Sequence, residues 1–481
     1  MRACAALLLC MFLAAGPAMA QQPGGGIILQ GSLRTRVEVW NWFETDSAEN
    51  TYAYSGNILR LSASKSAERW DWQAELAVPF LLGLPAGAIA PGTQGQLGLG
   101  ASYFAANRQN RNTAMIFPKQ LFFRWKNAGG VAGQSVRIGR FEFADGGERA
   151  PANTVLSAVK RDRINQRLIG AFAFSHTGRS FDGVQYSLDR KAGNFTLVAA
   201  VPTRGSFQTD GWGWNRVGFG YAAYTREWGG SKHAAETRVF AIEYADWRRV
   251  LKTDNRPSAV RRADMGIVRI ETFGGHSLHS ITTSGGTVDL LAWGAAQTGR
   301  WGAEQHRAWS VDIEAGFQPK ALPALKPAFR AGFTRGSGDQ NPGDGEHQTF
   351  FQLVPTPRLY ARFPFFNMMN TEDRFGSLVI RPHARVTVSS EYHSLRLTNP
   401  GDLWYAGGGV FQPWTFGYAG RAAGGARSLA NLYDVQTDYR VNPKVSIAGY
   451  FGYAQGRSAV RAIYPHGKKG HLAYIETTYR F

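Results

Sequence analysis

The sequence predicts an all-β protein, a transmembrane antiparallel β-barrel of about 18 strands with long extracellular loops and short periplasmic turns. Apolar and polar residues alternate along many short segments, and the chain ends in an aromatic residue, Phe481. After Gln21 there is no run of about 18 apolar residues, which a membrane-spanning helix would need. The mean hydropathy of −0.27 fits a barrel, because each strand carries as many polar as apolar residues.

The first twenty residues have the pattern of a secretory signal peptide, in which a short apolar segment leads to the small-x-small sequence Ala18-Met19-Ala20. We therefore expect a signal peptide at 1–20 and one outer-membrane barrel at 21–481. Both cysteines lie within the signal, so the predicted mature chain has no thiol for a disulfide, a metal or catalysis.

The last strand carries the barrel pattern to the final residue. Ile475, Thr477, Tyr479 and Phe481 share one face, and polar residues occupy the other. The segment also resembles the C-terminal signal that the outer-membrane assembly machinery recognises. The predicted location is therefore the bacterial outer membrane, and the assembly machinery is an expected partner.

The same alternation recurs along the chain and gives the strand predictions. We expect strands at 29–41, 57–65, 70–81, 120–126, 136–144, 181–190, 194–202, 217–225, 237–246, 265–272, 287–297, 308–317, 327–334, 374–381, 384–394, 432–440, 444–453 and 471–481. An even number of strands would put both termini on the periplasmic side.

Loop lengths support this order of strands. Connections after even-numbered strands are short, whereas those at 82–119, 146–180, 335–373 and 395–431 are long. Short turns on one side and long loops on the other are typical of outer-membrane barrels. Two connections, 226–236 and 274–286, are longer than a periplasmic turn requires.

The charge pattern predicts a basic lumen. The formal net charge is +19, and arginine binds both oxygens of a carboxylate with its planar guanidinium group. A ring of like charge selects the opposite ion. Projection of the strands gives these lumen-facing residues: Arg34, Arg36, Glu38, Arg60, Arg124, Lys126, Arg137, Arg269, Glu271, Arg330, Asp434 and Arg440.

Arg140 and Glu142 are also included in the predicted substrate path. Strict alternation from Val136 and Ile138 would turn both toward lipid. A β-bulge near Gly139 would turn them inward, so their assignment depends on that bulge.

The loop 358–366 is aromatic, basic and long enough to fold into the pore. Arg358, Tyr360, Arg362 and Phe363 are therefore the residues of a candidate gate. An aromatic anchor at the membrane interface would explain the same composition.

Part of the basic excess lies in loops. These arginines are expected to meet the phosphates of lipopolysaccharide: Arg108, Arg111, Arg149, Arg161, Arg163, Arg421 and Arg427.

Several short motifs resemble those of the alginate export family of outer-membrane proteins. They are Ile138 to Glu142, Phe181 to Val184, Gly336 to Asp339, Thr349 to Thr356, Glu391 to His393 and Asp402 to Tyr405. The resemblance implies an 18-stranded barrel through which a polyuronate leaves the cell.

No residue pattern indicates an enzyme. Ser390 and His393 lie three apart in a strand and so face opposite sides, which excludes a nucleophile–base pair. Glu391 and His393 share a face, and we interpret them as polar lumen residues. We predict no catalytic residue, no cofactor and no metal site.

The sequence therefore favours a monomeric channel that conducts an anionic, alginate-like exopolysaccharide out of the cell, with periplasmic export partners. The alternative is an anion-selective porin for small organic acids or phosphorylated solutes. A nucleic-acid partner, which charge alone would allow, is excluded by the compartment.

Overall fold

Eighteen antiparallel strands form a closed barrel in the computed structural model, which describes residues 26–357, 360–365 and 367–481. The predicted signal peptide lies outside the described residues. The barrel strands are β1 (Ile28–Asn41), β2 (Thr51–Ser66), β3 (Trp70–Leu82), β4 (Phe117–Lys126), β5 (Gln134–Phe141), β6 (Phe181–Arg190), β7 (Gly193–Pro202), β8 (Val217–Gly229), β9 (His233–Asp246), β10 (Val268–Thr282), β11 (Gly286–Trp301), β12 (Glu304–Pro319), β13 (Ala328–Gly336), β14 (Thr371–His383), β15 (Val386–Leu397), β16 (Ser428–Arg440), β17 (Val445–Gly456) and β18 (Lys469–Arg480).

The first and last strands close the barrel. Ser32 of β1 lies opposite Arg480 of β18 on one side and opposite Arg60 of β2 on the other. Closure leaves no strand edge without a hydrogen-bonding partner, which a spanning sheet in lipid requires. The predicted fold class and all 18 predicted strands are confirmed, because the period-two pattern is local to each strand.

The connections 226–236 and 274–286, which the sequence predicted to be longer than a periplasmic turn, are short in the structure. The strands beside them extend beyond the residues that show the apolar alternation. Strand β8 continues to Gly229 and β10 to Thr282, so the connections shorten to 230–232 and 283–285. Every turn on the side where β1 begins is now short. The opposite side carries the loops 42–50, 83–116, 142–180, 203–216, 247–267, 337–370, 398–427 and 457–468, and one tight turn at 302–303.

Side chains alternate between the lumen and the outer surface. On β1, Val37 and Val39 are about half exposed on the outer surface, whereas Arg36, Glu38 and Trp40 are buried toward the lumen. Exposed apolar residues on the outer surface of a barrel face lipid. Trp309, Tyr433 and Tyr439 lie on this surface, as expected for an aromatic girdle.

Toward the loop side, the strands reverse this polarity. Their inward residues are apolar, such as Tyr52, Phe240 and Ile270, and they join one large buried core with loop residues. The long loops therefore fold into the barrel and fill its loop-side half. This burial is also why β2 starts at Thr51, six residues before the predicted start.

The loops carry short helices and small strands. The helices are α1 (Leu99–Ala106), α2 (Thr154–Val159), α3 (Ser258–Ala263) and α4 (Ser458–Ile463), and a π-helical turn at Lys160–Ile164 follows α2. Leu403–Gly407 and Tyr418–Ala422 form a separate hairpin within the loop 398–427. Among the described residues, no helix is both long enough and apolar enough to cross a membrane.

Candidate functional site: a lumen crossed by a loop

Most of the predicted substrate-path residues point into the lumen. These are Arg34, Arg36 and Glu38 on β1, Arg60 on β2, Arg124 and Lys126 on β4, Arg137 on β5, Glu142 just after β5, Arg330 on β13, and Asp434 and Arg440 on β16. Their place in a substrate path remains a prediction.

One side of the lumen carries a group of cations that we call the basic wall: Arg34, Arg60, Arg124, Lys126 and Arg137. Arg124 pairs with Asp71 at 2.6 Å, and Arg60 pairs with Glu75. In each pair the cation is the more exposed partner, with 43% for Arg124 against 11% for Asp71, and 29% for Arg60 against 7% for Glu75. Water in the lumen therefore reaches these two guanidinium groups more readily than Asp71 and Glu75, whereas Glu142, which lies 3.3 Å from Arg60, is as exposed as Arg60.

The loop 142–180 crosses the lumen, and ion pairs hold its middle part to β9 and β12. Lys160 pairs with Glu236 of β9 at 2.8 Å, and Arg163 pairs with Glu314 of β12 at 2.8 Å. All four side chains are almost fully buried. Buried ion pairs fix geometry, because separating them would leave an uncompensated charge.

Arg167 adds a third pair, 2.6 Å from Asp312. Burial lowers the pKa of Arg167, but the combined interactions with Asp312, Tyr360 and Glu314 outweigh it and raise the pKa. The guanidinium thus stays charged, and its centre lies 4.8 Å from the ring of Trp293. The segment 160–167 is consequently fixed to β9, β11 and β12 together.

The same loop then reaches β1, across the barrel from β9. Arg34 donates to the carbonyl oxygen of Ala173 at 2.7 Å, and Arg36 donates to that of Phe174 at 3.1 Å. Arg36 also stacks on the Phe174 ring at 4.3 Å. We call residues 160–179, held at both sides, the crossing segment.

His176 completes this attachment. Its Nε2 lies 3.3 Å from Oε1 of Glu38, and the imidazole occupies the space that a side chain at Gly56 would need. Burial lowers the pKa of His176 to about 4, despite the opposing effect of Glu38. At neutral pH the ring is therefore uncharged.

The early part of the loop descends to the turn side. Arg149 donates to the carbonyl oxygens of Lys191 and Gly193 in the turn between β6 and β7, and pairs with Glu227 of β8 at 2.9 Å. The expected contact of Arg149 with lipopolysaccharide is therefore wrong. The expected contacts of Arg163 and Arg161 with lipopolysaccharide are wrong as well. Arg163 is buried in the lumen, and Arg161 lines a lumen cavity. Arg108, Arg111 and Arg427 are exposed loop residues.

The loop 337–370 also enters the barrel. Tyr360 is buried and donates to the carbonyl oxygen of Asn165 at 2.8 Å, and Phe363 is buried against Trp42, with ring centroids 5.8 Å apart. The alternative of a membrane-interface anchor is therefore wrong for these two rings. Arg362 faces a lumen cavity and forms no ion pair with a described residue. Arg358 lies outside the described residues.

That cavity, about 600 Å³, lies in the turn-side half of the lumen, across from the basic wall. Arg163, Arg330, Arg362, Arg381 and Glu391 line it. Arg330 is itself held by Glu314 at 3.1 Å and by Asp289.

A second cavity of about 310 Å³ lies among the extracellular loops. Aromatic rings of Trp42, Phe207, Phe411 and Tyr418 line it, with Arg421 as its cation. Arg421 is 5% exposed and stacks 5.0 Å from Trp404, so its predicted contact with lipopolysaccharide is corrected.

Arg269 and Glu271 lie on the outer surface, and their predicted lumen position is wrong. They share a face of β10 with the exposed Phe273, whereas Ile270 and Thr272 are buried inward. Arg269 pairs with Glu243 on the outer surface of β9. The physical reason is the reversed polarity of the strands toward the loop side, where polar residues face outward.

The predicted lumen position of Arg140 is wrong for a different reason. It required a β-bulge near Gly139, and that bulge is absent. Strands β4 and β5 pair without interruption through Gly139 and Arg140. Arg140 therefore stays on the outer face and pairs with Asp182 at 2.7 Å. Glu142 follows the end of β5, where the chain turns inward, and lies 3.3 Å from Arg60.

A β-bulge does occur in β4, and the sequence did not predict that it turns Lys119 toward the lumen. The pairing of β3 with β4 shifts between Gln120 and Pro118. Both Lys119 and Gln120 consequently face the lumen, where Lys119 lies 3.6 Å from Glu142 and Gln120 donates to Glu75. The crossing-segment residues Lys160 and Arg167 were also missed, since nothing local marks a loop that folds inward.

Comparisons with known proteins agree with this architecture. A sequence model described as alginate export matches residues 103–455, and no curated protein sequence matches the chain. The fold is similar to that of OccAB4 of Acinetobacter baumannii, at 8% identity and a TM-score of 0.56, covering 94% of this chain and 98% of that one.

Two structures from Pseudomonas aeruginosa are similar to a comparable degree. The outer membrane protein OpdK matches at 9% identity and a TM-score of 0.54, covering 94% of this chain and 99% of that one. OccK9 (OpdG) matches at 10% identity and a TM-score of 0.54, covering 95% and 98%. These likenesses show the fold, and the match to the alginate export model places the chain in the bacterial outer membrane. Because the family model covers more than half of the sequence, the chain belongs to the alginate export family.

Proposed function

We propose that this protein is an outer-membrane channel for small organic anions, with carboxylated sugars of the uronate type as the solute class. The observation that carries the proposal is the basic wall, where Arg60 and Arg124 are more exposed than their partners Glu75 and Asp71. Such a surface raises the local concentration of anions, and low-dielectric surroundings strengthen the effect.

The crossing segment limits the size of the solute. It joins β9 and β12 on one side of the lumen to β1 on the other through buried pairs and hydrogen bonds. A solute must pass beside it, along the basic wall or through the cavity that contains Arg362. A short anion fits this route better than a polymer chain, which would have to displace the segment.

Arginine is well suited to such a route. Its planar guanidinium group binds both oxygens of a carboxylate. Neighbouring acids, such as Asp71 beside Arg124, weaken the hold on any one anion. Conduction requires binding that is favourable and still weak enough for release.

Export of an anionic exopolysaccharide is the second candidate, and family membership specifically favours it. In that case the crossing segment is a gate that opens for the polymer, and periplasmic export partners supply direction. The two candidates share anion selectivity and differ in the length of the solute that passes.

The test is a planar-bilayer recording of the purified protein under a salt gradient, followed by addition of galacturonate, a short oligouronate, polymannuronate or neutral dextran. We expect an anion-selective reversal potential and block by the short uronates. Block by polymannuronate, together with transport of labelled polymer into liposomes, would favour the exporter instead. A pore without anion preference would contradict both.

A further inference from the structure

We propose that His393, Glu391 and Asp434 form a binding site for one divalent metal ion, Zn²⁺ by the chemistry of its ligands. Glu391 and His393 lie on β15, and Asp434 lies opposite Glu391 on β16. One ligand atom from each residue lies within 4.8 Å of the others. The site adds to the proposed function and does not depend on it.

The imidazole of His393 is oriented as a metal ligand would be. Its Nδ1 lies 2.8 Å from Oδ2 of Asp373, which places a hydrogen on Nδ1, so that the neutral ring has its lone pair on Nε2. Carboxylates commonly orient zinc-binding histidines in this way. The side chain is 1% exposed, and Nε2 has no hydrogen-bond partner among the described residues.

Asp434 likewise has one side-chain atom that is hydrogen-bonded and one that is free to bind a metal ion. Oδ1 accepts a hydrogen bond from the hydroxyl of Tyr450 at 2.8 Å, while the buried Oδ2 has no hydrogen-bond partner in the described chain. An unsatisfied buried acceptor is costly. A cation between Oδ2 of Asp434 and Nε2 of His393 would satisfy both atoms.

The net charge of the cluster is negative enough to bind a divalent cation. Asp373, Glu391 and Asp434 contribute three negative charges, and Arg362 is near enough to interact electrostatically with Glu391 and Asp434. The guanidinium of Arg163 also interacts with Glu391, but it is already paired with Glu314. With a neutral imidazole, the cluster therefore carries about two uncompensated negative charges, which one divalent ion would neutralise.

The ligand set points to zinc rather than to a hard cation. One imidazole and two carboxylates match the three protein ligands of an open zinc site, whereas Ca²⁺ and Mg²⁺ prefer oxygen ligands throughout. Glu391 also lines the 600 Å³ cavity, so a fourth position can face the lumen.

A metal-free arrangement is the competing explanation. A protonated His393 would bridge Asp373 and Glu391, whose Oε2 lies 3.6 Å from Nε2. That arrangement leaves Oδ2 of Asp434 without a partner, and it predicts no saturable metal binding.

The experiment is a titration of the metal-stripped, full-length protein in detergent. Co²⁺ binding is followed by visible absorption, and Zn²⁺ binding by calorimetry. We expect one ion per chain, with Zn²⁺ displacing Co²⁺. Asp434→Asn keeps an acceptor for Tyr450 and should weaken binding at least about 100-fold, and Asp373→Asn about 10–100-fold.

The matched control is His276→Ala, which removes another buried lumen histidine, one that pairs with Glu236 at 2.8 Å outside this cluster. It should bind the ion as the unaltered protein does. Absence of saturable binding, or equal binding by Asp434→Asn, would overturn the proposal. Anion selectivity recorded in EDTA on the same preparation tests the proposed function separately.

Discussion

Arg163 and Glu314 join the crossing segment to the barrel, with Nε of the arginine 2.8 Å from Oε1 of the glutamate. Glu314 is fully buried and also receives Arg330 at 3.1 Å. A loop residue and two strands therefore share one buried carboxylate. This arrangement links the position of the crossing segment to the stability of the barrel.

We expect Arg163→Gln to destabilise the protein and to raise single-channel conductance. Removing one partner of a buried ion pair costs about 3–5 kcal/mol, and the remaining Arg330 should keep the loss near the lower end. The segment would then be held to β12 through Arg167 and Asp312, and we expect it to loosen there and leave a wider passage. Thermal unfolding in detergent and bilayer recording measure the two effects.

Arg161→Gln is the control for that change. Arg161 is two residues away, 65% exposed and paired only with Asp162 within ion-pair distance of the described residues. It should leave the stability almost unaltered, since exposed pairs contribute about 0–1 kcal/mol. Equal conductance in Arg163→Gln and the unaltered protein would show that the segment does not limit the pore.

Replacing Arg137 should reduce anion selectivity. Arg137 belongs to the basic wall, donates to the neutral Gln185 and forms no ion pair with a described residue. A unit charge 4 Å from an ion contributes about 1 kcal/mol in water, so Arg137→Gln could lower local anion concentration up to about fivefold. Reversal potentials measure the change. Arg269→Gln, on the outer surface, should leave them unaltered.

The strands and the alternation of loop lengths could be predicted from sequence because both depend on local patterns. Each strand shows its apolar face within about ten residues. The direction of a charged residue could not be predicted equally well. Arg269 and Glu271 lie where the strand extends past the apolar band, so polarity no longer indicates the lumen.

Contacts between distant segments were beyond the sequence pattern. Nothing near Arg149 indicates that it binds the turn that contains Lys191, and nothing near His393 indicates that Asp434 lies on the neighbouring strand at the same level. Such pairs depend on strand register and on loops that fold back. Bulges add a further difficulty, since Pro118 beside the one at Gln120 is equally compatible with the first residues of a strand.

Arg149→Ala should free the first part of the loop 142–180 at the turn side. The arginine bonds three backbone carbonyls at one turn and pairs with the carboxylate of Glu227, and the substitution removes all of these bonds. Backbone amides of α2 should exchange hydrogen faster, while those of the barrel strands should not. Unchanged exchange in α2 would mean that Lys160 and Arg163 hold the segment without it.

Acidification should release the crossing segment from β1. His176 has a pKa of about 4 in the folded protein, lowered by burial from the ordinary value of 6.5. Between pH 6.5 and 4, the released segment therefore binds more protons than the attached segment does. The contribution of His176 to the attachment is complete above that range and is lost as the pH falls through it. The difference corresponds to at most about 3 kcal/mol.

Conductance and hydrogen exchange of residues 172–179, measured from pH 7 to 4.5, test this expectation. His176→Gln removes the titrating group and should flatten the pH dependence. Gly56→Ala should release the segment already at neutral pH, because its Cβ would lie 2.2 Å from Nε2 of His176. Gly220→Ala is the matched control, since nothing lies within 4 Å of an added Cβ there. If Gly56→Ala and Gly220→Ala behaved alike, His176 would not be what holds the segment to β1.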